Sequence, residues 1–133
     1  MKKTEVMFEN RVEVISRLED FHRAGFPGMI PIDNISHCNL RCSMCSRSQM
    51  KRKPGIMEMG LFKRIVDEVS EEQKDTKVWL NFFGEPTLLQ DMPERISYAK
   101  SKGLTNLSIN TNANLLTAEI SEQYIKAGLN YLY

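Results

Sequence analysis

KVWLNFFGEP, residues 77–86, runs through valine, tryptophan, leucine and two phenylalanines and then meets Gly84 and Pro86. Such a run reads as a strand entering a turn. Helical periodicity stands on both sides of it. Upstream, Leu61, Phe62, Ile65, Val66 and Val69 form one apolar stripe. Downstream, Met92, Ile96 and Ala99 form another, and Gly103 falls where a helix C-terminus favours a left-handed residue. The rest of the chain repeats this unit. MIPIDNIS (29–36) reads as a short strand, with Pro31 restricting it to an edge or a strand start. NLSIN (106–110) reads as a third strand. Thr117 can cap a helix that carries Ile120, Tyr124 and Ala127 and ends at Gly128, and LNYLY (129–133) begins a fourth strand. Ahead of them all, Phe8, Val12 and Ile15, with Val14, Leu18 and Phe21, make an amphipathic leading helix that AGFPG (24–28) stops.

The order is a helix, three strand–helix units and one more strand. This alternation predicts an α/β fold with a parallel sheet and right-handed crossovers. It divides the chain into a leading helix and turn, 1–28, and a strand–helix domain, 29–133. Ligands of such sheets bind at the C-terminal ends of the strands. The cysteines follow strand one, GEP (84–86) follows strand two, and NTNANLL (110–116) follows strand three. Period-two parity puts Trp79, Asn81, Phe83 and Glu85 on one face of strand two, and Ser108, Asn110 and Asn112 on one face of strand three. That polar face is expected to line a polar ligand; the competing reading is a solvated sheet face.

Composition narrows the class. The chain has 133 residues, 26% charged and 41% hydrophobic, with a net charge of +1. These values fit one globular domain and give no field that would gather nucleic acid or an anionic membrane. The sequence holds no apolar run long enough for a membrane helix. MKKTEVMFENRVEV at the start lacks the apolar core of a signal peptide. The expected setting is reducing and cytoplasmic, where clustered cysteines serve metals or redox chemistry more often than disulfides.

All three cysteines lie in CNLRCSMC, residues 38–45, spaced C-x3-C-x2-C. An odd set cannot pair off. Thiolates suit zinc or an iron–sulfur cluster. Structural zinc wants a fourth ligand; His37 is adjacent to Cys38 and points away in an extended segment, and His22 lies on the leading helix. A cubane held by three thiolates leaves one iron open to a substrate or cofactor. The other features have plainer readings. RSQMKRK (47–53) is a solvated basic loop, or an attractor for an anionic substrate. Met44, Met50, Met57 and Met59 are packing residues rather than redox groups.

The constellation resembles the radical S-adenosylmethionine superfamily from about Ile30 to Tyr133. Cys38, Cys42 and Cys45 match its cluster motif, Gly84, Glu85 and Pro86 match the last three positions of its G-G-E-P motif, and TNANLL (111–116) resembles its TNG-x-LL stretch. CNLRCSMCSR and GIMEMGLFKRIVDE look closest to the SPASM branch. The resemblance implies a parallel-stranded partial (β/α) barrel of the TIM-like type, here truncated after about three and a half β/α units. It implies a 4Fe–4S cluster on the three thiolates and S-adenosylmethionine chelating the fourth iron. It also implies reductive cleavage to a 5′-deoxyadenosyl radical that abstracts hydrogen from substrate. Met44 matches the position whose backbone holds the adenine, and Gly84, Glu85 and Pro86 match the segment that receives the methionine amino group. Strand parity adds Asn81, Ser108, Asn110 and Asn112 to the cofactor-binding set.

The implied partners are a reductant such as flavodoxin or ferredoxin, a peptide, protein or small-molecule substrate, and a partner chain completing the barrel. Neither nucleic acid nor membrane is expected. Phe83 departs from the motif's first glycine, and Met44 from the usual aromatic. An unfinished fourth strand would expose Leu129, Tyr131, Leu132 and Tyr133. The rival readings are a structural zinc module and a catalytically inactive cluster-binding fragment.

Overall fold

The computed structural model describes residues 25–133. The leading helix, His22 and nearly all of the 1–28 unit lie outside the described residues. Four strands follow, β1 (Met29–Pro31), β2 (Lys77–Trp79), β3 (Leu107–Ile109) and β4 (Tyr131–Leu132), with helices α1 (Met59–Glu72), α2 (Met92–Ser101) and α3 (Ala118–Ala127) between them. The sheet is wholly parallel in the order β1-β2-β3-β4. Each helix is thus the crossover of one β-α-β unit, as the alternation predicts. Register runs Pro31 to Trp79, Trp79 to Ser108, and Ser108 to Tyr131 across the four strands.

The core lies between the sheet and the helices. Val78, Leu80, Leu107 and Ile109 meet Phe62, Val66 and Val69 of α1, Met92, Ile96 and Ala99 of α2, and Tyr124 of α3, all buried. The stripes read from the sequence are these faces. Thr117 caps α3 by accepting from the Ile120 amide at 3.2 Å, and Gly128 ends it at φ 95°, in the left-handed region. Outside the core, Tyr98 Oη and Lys102 Nζ of the α2 end donate to Asp67 of α1 at 2.9 and 2.7 Å. The Lys102 bond first, then the Tyr98 bond, hold the Asp67 carboxyl below the usual carboxylate range. No helix among the described residues is long and apolar enough to cross a membrane.

Two expectations need correction. The strands are shorter than their apolar runs. β2 stops at Trp79 because Asp33 Oδ1 accepts from the Phe82 and Phe83 amides at 3.3 and 3.1 Å, which turns the chain there. Parity therefore does not extend to Phe83 or Glu85. Asn81 and Ser108 bond within the sheet. Asn81 gives Nδ2 to the Asn110 carbonyl at 2.9 Å and accepts from the Asn110 amide at 2.9 Å, taking the place of a strand neighbour, while Ser108 Oγ donates to the Val78 carbonyl at 3.4 Å. Both are buried. Finally, Leu129 is not on the exposed edge: it packs against the core, whereas Tyr131, Leu132 and Tyr133 are exposed.

Candidate functional site

The site grows from the C-terminal ends of β1, β2 and β3. After β1, Asn34, Ile35 and Ser36 continue extended and pair antiparallel with Gly55–Met57. The Ser36 amide meets the Gly55 carbonyl at 2.9 Å, and the Met57 amide meets the Asn34 carbonyl at 2.9 Å. This neck closes residues 37–54 into one loop that carries the three cysteines. Arg52 clamps the neck, with Nη2 on Asp33 Oδ2 at 2.6 Å and Nη1 on Ser36 Oγ at 3.2 Å. Part of the basic run is therefore structural, while Lys51 and Lys53 are exposed.

Beneath the neck lies a polar hub that periodicity did not reveal. Arg95 of α2 is 1% exposed, and its guanidinium donates to Asp91, to Asn34 Oδ1 at 3.1 Å and to the Met57 carbonyl at 2.8 Å. Asn34 Nδ2 in turn donates to the Leu80 carbonyl at 2.9 Å. Every arm of the buried cation is satisfied, the condition under which burial of a charge is tolerated. The hub joins α2, β1, β2 and the base of the cysteine loop.

Gly84 makes the next junction. A Cβ there would lie 1.9 Å from the Ile35 carbonyl oxygen and 2.8 Å from that of His37. Only glycine permits this approach, and it lets the Glu85 amide donate to the His37 carbonyl at 2.9 Å, one residue before Cys38. The Glu85 carboxylate is 2% exposed and already full. Oε1 accepts from the Thr87 amide at 3.1 Å, Thr87 Oγ1 at 2.7 Å and Thr111 Oγ1 at 2.6 Å, and Oε2 accepts from the Asn112 amide at 2.9 Å. Glu85 is a latch between the loops after β2 and β3. Pro86 is buried, and its carbonyl accepts from the Tyr124 hydroxyl at 3.3 Å. Burial, then the Glu85 charge, push the Tyr124 phenol up to about 12.

The loop after β3 reaches back. Asn112 Nδ2 lies 2.9 Å from Asn39 Oδ1 and 3.8 Å from Cys38 Sγ. Ala113, at the position of the glycine in TNG-x-LL, sits at φ 58°. A left-handed alanine carries roughly 1–2 kcal/mol of strain. Asn110 stands at the end of β3, half-buried, with its backbone bonded to Asn81.

Cys38, Cys42 and Cys45 all line one cavity of ≈ 450 Å³, together with Leu40, Arg41, Ser43, Arg47 and Ser48. Among the described residues the cavity's lining includes no other cysteine, and no histidine, aspartate or glutamate. His37 is exposed and is not among the residues lining the cavity. Arg41 and Arg47 place positive charge beside the sulfurs, and Arg47 Nη2 is held on the Leu40 carbonyl at 2.9 Å. Three soft donors around a roomy, cation-flanked cavity suit a multinuclear thiolate-held group better than one ion. Met44, between the lining residues Ser43 and Cys45, is 94% exposed.

Comparison with known proteins follows this geometry. A 31% identical relative over 102 residues is the tungsten-containing aldehyde ferredoxin oxidoreductase cofactor-modifying protein of Pyrococcus furiosus, with 77% of this chain and 28% of that protein aligned. The probable GTP 3′,8-cyclase of Methanococcus maripaludis is 33% identical over 94 residues, 70% of this chain and 31% of that protein. The crystal structure of BtrN in complex with AdoMet and 2-DOIA superposes with a TM-score of 0.73 at 24% identity, over 79% of this chain and 44% of that chain, which establishes the shared fold. The chain spans less than a third of the length of these curated relatives. The family model described as the Radical SAM superfamily matches residues 35–133, from the neck of the cysteine loop through β4, and the chain belongs to that superfamily.

Proposed function

We propose that Cys38, Cys42 and Cys45 hold a 4Fe–4S cluster with one iron left open, and that the chain carries the cluster end of an enzyme that reductively cleaves S-adenosylmethionine. Enzymes of the superfamily use these two cofactors. The observation that supports this reading is the single cavity lined by all three cysteines and, among the described residues, by no histidine, aspartate or glutamate. When bound and reduced, the cluster supplies the electron that cleaves the sulfonium and yields the radical that abstracts hydrogen from substrate.

The chain's own contribution is placement. The neck and the Arg95 hub fix where the loop leaves the sheet. Gly84 and the Glu85 amide fix the backbone just before Cys38. Because the Glu85 carboxylate is filled by four chain donors, this segment meets the methionine end of the cofactor through its backbone. Met44, highly exposed between Ser43 and Cys45, offers its backbone to the adenine, and Asn110, half-buried after β3, is a further polar group for the cofactor. Arg41 and Arg47 offset the charge of three thiolates. A reducing cytoplasmic setting, an external one-electron donor such as flavodoxin or ferredoxin, and a peptide, protein or small-molecule substrate complete the proposal.

Anaerobic reconstitution with iron and sulfide, followed by metal and acid-labile sulfide analysis, tests it. The expected result is equal iron and sulfide at cubane stoichiometry, abolished in Cys42→Ser. Stoichiometric zinc in place of iron and sulfide would refute it.

A further inference from the structure

The three cysteines are not equivalent. Two N–H groups face Cys38 Sγ, the Leu40 amide at 3.5 Å and Asn112 Nδ2 at 3.8 Å. Among the described residues no hydrogen bond is directed at the sulfur of Cys42 or Cys45. The Leu40 contact is local to the loop, whereas Asn112 arrives from 74 residues away.

Asn112 is held on three sides. Its amide donates to Glu85 Oε2 at 2.9 Å, and its Oδ1 accepts from the Asn114 amide at 3.0 Å. Its Nδ2 carries two hydrogens. One is given to Asn39 Oδ1 at 2.9 Å, which leaves the other to face Cys38 Sγ. The thiol of Cys38 also lies 3.9 Å from Asn39 Oδ1, so the two asparagines bracket this one sulfur. An N–H aimed at a cluster thiolate stabilises the more negative, reduced state and raises the potential; hydrogen bonds to the sulfurs are among the factors that set it.

We infer that Asn112 is a positioning residue that holds the Cys38 ligand and raises the reduction potential of the cluster, rather than a contact to S-adenosylmethionine. This rests on the reading that the three thiolates carry a 4Fe–4S cluster. Its effect is read without turnover, by potentiometric titration of the reconstituted full chain in the absence of S-adenosylmethionine, monitored by electron paramagnetic resonance.

Asn112→Leu keeps the branching and heavy-atom count of the side chain and removes both N–H groups. At the potential where the wild type is half reduced, its reduced-to-oxidised ratio should fall about tenfold, equivalent to about 59 mV for a one-electron couple. Asn39→Ala, at an exposed position, frees the second Nδ2 hydrogen and removes an oxygen from beside the sulfur. Its ratio should rise, and this variant carries the test if Asn112→Leu does not fold. A wild-type ratio in Asn112→Leu, or an unchanged or lower ratio in Asn39→Ala, would overturn the inference while leaving the cluster reading intact. A wild type that builds no 4Fe–4S cluster would overturn both.

Discussion

The approach to Cys38 and the stretch beyond it differ in every physical respect. From Asp33 to His37 the chain is gripped by the Gly55–Met57 strand, by Arg52, by the Arg95–Asn34 hub, and by Gly84 and Glu85. From Cys42 to Met50 the loop is mostly exposed. Its bonds are chiefly to itself, such as the Cys45 amide to the Cys42 carbonyl at 3.1 Å and Ser48 Oγ to the Cys45 carbonyl at 3.0 Å. Local stability follows such bonding and burial. Under the proposed reading, Cys38 sits on a frame tied by tertiary bonds, and Cys42 and Cys45 sit on a loop that a bound cluster would organise. The frame would be preorganised; the loop would gain its order on binding.

This contrast can be broken most forcefully at Gly84. Gly84→Ala drives a methyl into the Ile35 and His37 carbonyls, which are backbone and cannot step aside. We expect a loss of roughly 3 kcal/mol or more in denaturant unfolding. Ser43→Ala in the exposed loop should stay within about 0.5 kcal/mol. Equal losses would erase the distinction between frame and loop.

The second effect is reached by pH. Tyr124 anchors α3 to the GEP turn, and its folded-state value of about 12 lies above the ordinary 10.0. A raised value means that folding favours the neutral phenol. This stabilisation is complete below about pH 10 and is lost as pH rises through about 12, on the order of 2 kcal/mol in all. Tyr124→Phe should flatten that alkaline decline. An unchanged decline would assign it to other groups.

The smallest effect has the opposite sign. Ala113→Gly relieves a left-handed alanine at φ 58°. Net of the glycine's extra unfolded-state freedom, it should stabilise the protein by about 0.5–1 kcal/mol. A destabilised variant would show that the alanine methyl makes a compensating contact.

Much of this was legible in the sequence because it rests on local pattern. The stripes Phe62–Val66–Val69 and Met92–Ile96–Ala99, the Thr117 cap and the Gly128 stop are short-range signals, and the parallel sheet follows from their alternation. What failed depended on distant partners. Strand parity from Trp79 to Glu85 assumes a continuous strand, and Asp33, far away in sequence, ends that strand. Asn81 reads as a ligand-facing amide, and its bonds to the Asn110 backbone and to the Gly84 carbonyl come from outside its own strand run. Arg95 sits beside the apolar stripe of α2 and carries no periodic signal, because its partners Asn34 and Met57 come from other elements. Gly84 carried a motif, but its reason, close contact with the backbone before Cys38, is tertiary.

The central claim is an open cluster iron beside a preorganised Cys38. Electron paramagnetic resonance of the anaerobically reconstituted, dithionite-reduced chain, recorded with and without S-adenosylmethionine, tests it most directly. The account predicts a 4Fe–4S signal that shifts when S-adenosylmethionine is added. A 4Fe–4S signal that is indifferent to S-adenosylmethionine would contradict it.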